Sequence, residues 1–193
     1  MLAGVISLVA TPVSAGDWDL LTMPEGYRAE VVRGELVVTP AASVDHGRAQ
    51  SCLIVVLAAV VPAGFGPVSG VEWRLDMGGV VAMAPQPDLM VVPRSARGAA
   101  ITDPPLLAVE ILSPSDHQRL AAGMTRREGK LLDYAANGLG DFLELDLTAP
   151  GPVATRYELR DGALVAVDMV AGSAVLRAER PFAYAFSPQS LIE

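Results

Sequence analysis

Two short apolar runs near the middle of the chain constrain the fold most. Residues 88–92 follow Pro87, and residues 106–112 follow Pro105 and end just before Pro114. Apolar runs of this length between prolines are typical of strands that are buried on both faces. A sheet covered on both sides requires helices or further strands above and below it. The pattern therefore predicts an α/β fold with a mixed central β-sheet flanked by helices.

The rest of the chain supplies the elements that such a sheet needs. Alternation around Arg33 and Gly34 predicts a tight hairpin over residues 30–38. We expect helices over 17–23, capped by Asp17, over 44–61, and over 116–136, where Asn137 and Gly138 form a C-terminal cap. A turn-rich segment over 62–70 separates the second helix from the central strands. Further strands are predicted over 71–75, 80–83, 141–147, 154–159, 163–169 and 174–178.

Size and composition limit the classes of protein. The 193 residues predict a single domain over 1–193, and 51% hydrophobic with 19% charged residues exclude a disordered chain. A net charge of −8 argues against nonspecific, charge-driven binding of nucleic acid, although a local basic patch could overcome it. The single cysteine, Cys52, allows no internal disulfide bond, so we expect a cytoplasmic protein.

The N-terminus and the apolar runs give no sign of export or of membrane insertion. Residues 1–16 are apolar and small but carry no basic residue after the start, so we interpret them as an N-terminal extension and not as a signal peptide. The longest other apolar run, 52–61, is far shorter than the ~20 residues that span a bilayer.

Glu110 carries the most chemical information because an unpaired carboxylate within an apolar strand is expensive. Strand alternation places Glu110 on the face of Ala108, and it places Asp88 on the face of Met90. If the two strands are neighbours, the carboxylates lie within about 5 Å of each other and suit a hard cation such as Mg²⁺, with a bound water as nucleophile. The alternatives are a buried salt bridge from Glu110 to an arginine and a turn or cap role for Asp88.

Lys130 is the only lysine, against 13 arginines. On the predicted helix it projects beside an apolar stripe, with Tyr134 one turn later and with Arg126 and Arg127 one turn earlier. Two acids and a lysine are the parts of a metal-dependent site that cleaves phosphodiesters, in which the ammonium holds the water or neutralises phosphoryl charge. The two arginines are candidates for phosphate binding. An exposed surface lysine and a solvated basic helix face are the alternatives.

Several segments, taken in order, resemble the Uma2 family of the restriction-endonuclease-like, PD-(D/E)XK superfamily. They are PDLMVV over 87–92, PLLAVEILSPS over 105–115, and Lys130 followed by Tyr134 and Gly138. The hairpin with Glu30, the helix-opening His46 and the strand over 141–146 extend the likeness over about residues 17–170.

The resemblance implies a restriction-endonuclease-like core with an extra N-terminal hairpin and extra C-terminal strands. It implies that Asp88 and Glu110 are ligands of Mg²⁺, for which Mn²⁺ could substitute. Lys130 would be the catalytic lysine, moved from the strand to the helix, because the superfamily's commonest lysine position is Leu112 here. Auxiliary roles follow for three more residues, with structural hydrogen bonding as the alternative: Glu30, His46 and Tyr134.

The sequence thus favours a Mg²⁺-dependent endonuclease that hydrolyses phosphodiester bonds in DNA. The alternative is a catalytically silent member that binds nucleic acid or protein through the same fold. A third possibility, a structural or oligomerisation module, predicts that Glu110 is tightly paired with an arginine. We expect a homodimer, because nucleases that cut both strands commonly pair two sites by twofold symmetry.

Overall fold

The computed structural model describes residues 6–8, 12–40, 42–147 and 151–193. The helices are α1 (Ala15–Leu20), α2 (Val44–Ala58) and α3 (Arg126–Ala136), with 3-10 turns at Pro114–His117 and Gln189–Leu191. The strands are β1 (Ile6–Leu8), β2 (Tyr27–Val32), β3 (Glu35–Pro40), β4 (Phe65–Val68), β5 (Glu72–Trp73), β6 (Leu75–Met77), β7 (Val80–Met83), β8 (Leu89–Pro93), β9 (Ala100–Ile101), β10 (Leu107–Leu112), β11 (Asp141–Asp146), β12 (Val153–Arg160), β13 (Ala163–Ala171), β14 (Leu176–Ala178) and β15 (Tyr184–Phe186).

The central sheet is mixed, as the sequence predicts. Its strands lie in the order β13-β12-β11-β10-β8-β4. Strands β10 and β11 are parallel, whereas the other neighbours are antiparallel. Parallel neighbours need a crossover connection, and α3 lies in the segment that joins β10 to β11. This arrangement confirms the α/β class.

Both faces of β8 and β10 are covered. On one face, Leu53 of α2 belongs to the same buried cluster as Val109 of β10. On the other face, Tyr134 of α3 packs in a cluster with Ala108 and Phe142. Successive residues of β10 therefore point into different cores, which explains why its sequence is apolar without interruption. The predicted double coverage of these strands is confirmed.

The hairpin β2-β3 forms a second layer beside the central sheet. Arg33 and Gly34 both have positive φ angles, 54° and 75°, as the tight turns of two-residue hairpins require. Val32 and Val37 of the hairpin form a small buried cluster with Leu120. This cluster docks the hairpin beside α3 and thereby brings β2 close to the central sheet.

The predicted start of the third helix is wrong. The helix begins at Arg126 and not at residue 116, because Thr125 and Glu128 form a capping box that fixes the first turn. The Thr125 Oγ1 accepts a hydrogen bond from the Glu128 N–H at 3.2 Å, and Glu128 Oε2 accepts one from the Thr125 N–H at 2.7 Å. Leu120 and Met124, expected on the helix, lie in the loop before it and pack against the hairpin.

Smaller differences also have local causes. Helix α1 begins at Ala15 and is capped by Ser14 instead of Asp17; Ser14 Oγ accepts from the Asp17 N–H at 3.0 Å. Strand β4 lies within the segment predicted as turns. It contains Pro67 and is the edge strand of the sheet, where a missing backbone donor is tolerated.

The N-terminal extension predicted over 1–16 lies largely outside the described residues, since 1–5 and 9–11 are not among them. Strand β1 pairs with β3 and adds a third strand to the hairpin. Within the described ranges, no helix has the length and apolar character needed to cross a membrane. The single domain and the cytoplasmic location stay predictions.

Gly129 tests how closely α3 packs on the hairpin. A Cβ atom at this position would lie 2.8 Å from Leu120 Cδ1 and 3.0 Å from Val32 Cγ1. We expect Gly129→Ala to lower the free energy of unfolding by about 1 kcal/mol or more, despite the better helix propensity of alanine. Urea unfolding followed by circular dichroism measures this change.

The matched control is Gly47→Ala in α2, where a Cβ would meet nothing within 4 Å. There the propensity gain acts alone and should raise stability by about 0.5–1 kcal/mol. If Gly129→Ala were as stabilising as Gly47→Ala, the close contact between α3 and the hairpin would be disproved.

Candidate active site

Asp88 and Glu110 lie on neighbouring strands. In the antiparallel pair β8-β10, Ala108 is opposite Met90, and continuing this register by two residues brings Glu110 level with Asp88. The backbone N–H of Ile111 donates a hydrogen bond of 2.7 Å to Asp88 Oδ2. The condition set for the two acids, that their strands are neighbours, is therefore met.

Lys130 reaches Glu110 from α3. Its Nζ donates to both carboxylate oxygens of Glu110 at 2.9 Å and lies 3.1 Å from Oε1 of Glu30. Only 3% of Lys130 is exposed, so the alternative of an ordinary surface lysine is wrong. The ammonium bridges the central sheet and the hairpin, which explains why both carboxylates can be buried.

The buried environment of Glu110 favours the protonated form of its carboxyl group. Burial raises the pKa of Glu110 to about 7; the charge of Lys130 opposes this rise, and the neighbouring charges of Asp88 and Glu30 add to it. The hydroxyl of Tyr134 donates to Glu110 Oε1 at 2.5 Å. Burial raises the pKa of Tyr134 well above its ordinary value, so this hydroxyl is a neutral donor.

Asp88 is ionised by contrast. Its Oδ1 accepts hydrogen bonds from Nε2 of His46 at 2.9 Å and from Nη1 of Arg28 at 3.3 Å. Burial by itself raises the pKa of Asp88, but the His46 hydrogen bond and the Arg28 charge outweigh it and lower the pKa below its ordinary value. The side chain of Gln50 also donates to the Asp88 carbonyl oxygen. Helix α2 thus fixes the position of this acid.

Glu30 and Arg126 form the innermost pair. Nη2 of Arg126 donates to Glu30 Oε2, and Nη1 donates to Asp116 Oδ1 at 2.7 Å. Burial raises the pKa of Glu30, but the charges of Arg126 and Lys130 together lower it far below the usual range. With 1% exposure, Arg126 is a structural cation between two carboxylates. The phosphate-binding role predicted for it stays a prediction, and this burial speaks against it.

Arg127 occupies a different place at the rim. Its guanidinium donates to both oxygens of Glu144, at 2.5 and 2.9 Å, and to the hydroxyl of Tyr157 at 2.6 Å. Its side chain remains 31% exposed, whereas the side chain of Glu144 is buried. Arg127 can therefore still meet an anion from solvent, and its predicted phosphate contact stays a prediction.

The acid–lysine cluster consists of buried acids and the cations that contact them. Its four carboxylates belong to Glu30, Asp88, Glu110 and Asp116. Its three permanent cations are Arg28, Arg126 and Lys130. One negative charge is left over unless His46 or a carboxyl group binds a proton. Together with burial, which is the larger cause, this excess explains why the pKa of Glu110 is raised above that of an ordinary glutamate.

The cluster contains oxygen ligands of the kind that bind a cation, but these ligands are not arranged around one point. Asp88 and Glu110 offer the hard oxygens that Mg²⁺ prefers, and the excess negative charge favours a cation. A cavity of about 10 Å³ borders Glu110, Lys130 and Glu144, which is about the room that one water needs. Among the described residues, no three acidic, histidine or cysteine side chains already converge on one point as metal ligands would. A cation at Glu110 would displace Lys130 from at least one oxygen.

Sequence reasoning found most of this cluster but missed Arg28 and Asp116. A signal for Arg28 was present, because it lies two residues before Glu30 on β2 and strand alternation places both on one face. Asp116 was assigned to a helix start. It instead accepts from the Ser113 N–H at 2.8 Å and holds Arg126, a partner that local patterns do not reveal.

One solved structure among those that match shares this fold. It is the crystal structure of a putative nuclease belonging to DUF820 from Anabaena variabilis, with a TM-score of 0.69 and 16% sequence identity over 94% of this chain and 98% of that chain. No curated protein matches the chain. The sequence profile of the Uma2 family, described as "Putative restriction endonuclease", matches residues 17–187. The chain therefore belongs to the Uma2 family.

Proposed function

We propose that the protein is a divalent-cation-dependent endonuclease that hydrolyses phosphodiester bonds in DNA. The carrying observation is that the only lysine of the chain is buried with both oxygens of Glu110 at 2.9 Å, on the strand next to Asp88. The description of the Uma2 family supports the reaction class. The excess negative charge of the acid–lysine cluster supports the need for a cation.

Asp88 and Glu110 would hold the cation, with Mg²⁺ first and Mn²⁺ as a substitute. When bound, such an ion supplies positive charge to a phosphoryl oxygen and lowers the pKa of a water molecule. The protein's part is to present two ionised carboxylates in a site that excludes bulk water. Asp88 meets this requirement through His46 and Arg28, whereas Glu110 must lose its proton.

Lys130 would change partners during the reaction. If Asp88 and Glu110 held a cation, the ammonium of Lys130 would be available to the attacking water or the phosphoryl oxygen, where a positioned donor is worth about 3–4 kcal/mol. Glu30 keeps contact with Lys130 at 3.1 Å and would hold it in place during this change. Arg126 in turn fixes Glu30, and Tyr134 orients Glu110 through its hydroxyl. These contacts support the proposed auxiliary roles of Glu30 and Tyr134, and the hydrogen bond from His46 to Asp88 supports that of His46.

A catalytically silent binding module is the second candidate. The net charge of −8 and the near-complete burial of the acid–lysine cluster favour it, because both oppose the entry of a polyanion. The third candidate, a purely structural module, predicted that Glu110 is paired with an arginine. The cation that contacts Glu110 is Lys130 instead, so the observation expected for that candidate is not met. We retain the homodimer as part of the proposal, since nucleases that cut both strands commonly pair two sites by twofold symmetry.

Removal of either partner of the central ion pair should abolish cleavage. We expect Glu110→Gln and Lys130→Ala each to lower the rate of plasmid cleavage at least about 100-fold, because each removes transition-state charge stabilisation. Since Lys130 is buried, Lys130→Ala should also cost about 3–5 kcal/mol of stability, so assays belong well below its unfolding temperature. Glu158→Gln on β12 is the control that retains activity. Full activity in both site variants would exclude the mechanism.

Cation binding can be measured without turnover. Calorimetry with Mg²⁺ or Mn²⁺ should detect binding to the wild-type protein and none to Asp88→Asn, because a neutral amide is a much weaker ligand of a hard cation. Plasmid and single-stranded DNA are then assayed under the same conditions. Binding that is lost in the variant, together with metal-dependent nicking by the wild type, supports the nuclease. Neither binding nor nicking would shift the assignment to the silent module.

The raised pKa of Glu110 predicts a pH dependence of stability. In the folded protein its pKa is about 7, above the unfolded value, so the folded state binds the proton more tightly. The stability that this proton supplies is fully present below about pH 4.5 and is lost as pH rises to about 7. Glu110→Gln imitates the protonated form and should therefore gain about 2–3 kcal/mol relative to wild type between pH 4.5 and 8, measured by urea unfolding in a chelator. A constant difference would contradict the shift.

A further inference from the structure

The acid–lysine cluster is closed to any substrate of the proposed size. Glu30 is 0%, Lys130 3% and Glu110 4% exposed. The cavity beside them, with about 10 Å³, is too small for a phosphate group. If the proposed function is correct, on which this inference rests, part of the wall of this cavity must move before a phosphodiester reaches Lys130.

Arg127 is the charged part of that wall that faces solvent. It lines the cavity together with Lys130 and Glu144. It lies three residues before Lys130 on α3, and residues three apart are neighbours on a helix surface. A cation that is partly exposed, at the mouth of a buried site, is the first charge that an incoming phosphate meets.

We propose that Arg127 binds the substrate phosphate, and that Glu144 and Tyr157 hold Arg127 across the cavity until a phosphate replaces Glu144. Carboxylate and phosphate oxygens fit the two-pronged guanidinium equally well, so the exchange replaces one bidentate pair with another. The hydroxyl of Tyr157 accepts from Nη2 of Arg127 at 2.6 Å and donates to Glu144 Oε1 at 3.3 Å, which ties the resting pair to β12.

The sheet explains why Glu144 is suited to this role. In the parallel pair β10-β11, Glu144 is directly opposite Glu110 and therefore lies on the same face. Its carboxylate is buried, and its one cationic contact among the described residues is Arg127, so its desolvation is compensated mainly while the guanidinium stays in place. Arg28, the other partly exposed cation of the site, contacts Asp88 and does not line this cavity. The opening is therefore assigned to Arg127.

The only lysine of the chain allows a direct test. An amine-acylating reagent modifies Lys130 and the N-terminal amine alone, and peptide mass mapping separates the two. In the absence of metal and DNA, we expect Glu144→Gln to raise the rate of Lys130 acylation about tenfold, because it removes hydrogen bonds to a charged group. The matched control, Glu158→Gln, removes contacts of Arg156 and Arg160 on the neighbouring strand and should leave the rate unchanged.

General loosening of the fold must be separated from local opening. Cys52 lies on α2, among residues packed against the core of the opposite face of the sheet, and its reaction with a thiol reagent reports on that side. A rise at Lys130 with no change at Cys52 supports the proposal. Equal rises at both would contradict it, and no rise at Lys130 would overturn it. Tyr157→Phe, which removes one hydroxyl and no charge, should give a smaller rise at Lys130 and keeps the test decisive if Glu144→Gln is unstable.

Kinetics separates this inference from the proposed function. If DNA is cleaved, Glu144→Gln should lower KM because the competitor for Arg127 is gone, and Arg127→Gln should raise KM. A purely structural pair would shift both variants in the same direction, and that result would overturn the role of Arg127. If acylation rises as expected but no variant cleaves DNA, the covering role stands and the nuclease proposal fails.

Discussion

A buried ammonium shared by two carboxylates holds the layers of this protein together. Lys130 on α3 contacts Glu110 of the central sheet and Glu30 of the hairpin, and Arg126 adds a second tie to Glu30. Breaking a buried ion pair by removing one partner leaves a charge without compensation, which is more costly than the pair is favourable. The position of the hairpin over the sheet therefore depends on the helix as much as on apolar contact. The same dependence brings the candidate catalytic groups together.

The two glutamates of this network differ in their protonation. Glu30 has its pKa lowered by Arg126 and Lys130 and is a permanent anion. Glu110 lies in the same network with a raised pKa, because burial disfavours its charged form and the neighbouring carboxylates add to this effect. The proposed cation site would use such a surplus acid, which can exchange its proton for a cation.

Local patterns in the sequence predicted the strands and their acids, because alternation and burial are local properties. The antiparallel register of β8 and β10 then brings Asp88 level with Glu110. Glu30, one of the two acidic partners of Arg126, lies 96 residues away in the sequence. No periodicity in the helix indicates whether the Arg126 side chain points to solvent or to Glu30. The start of α3 was predicted too early for another reason. The apolar Leu120 fits the spacing of an apolar helix face, although the capping box of Thr125 marks the true start.

The acidity of the chain and the closure of its site have one physical consequence. A net charge of −8 repels DNA, and salt screens this repulsion only beyond a Debye length, so attraction must come from charges close to the contact. A divalent cation at Asp88 and Glu110 would compensate the surplus negative charge and release Lys130 from Glu110. Arg127, held by Glu144, would then be the cation that a phosphate reaches first. In this scheme, cation binding at Asp88 and Glu110 would favour DNA binding, because it would remove negative charge from the site.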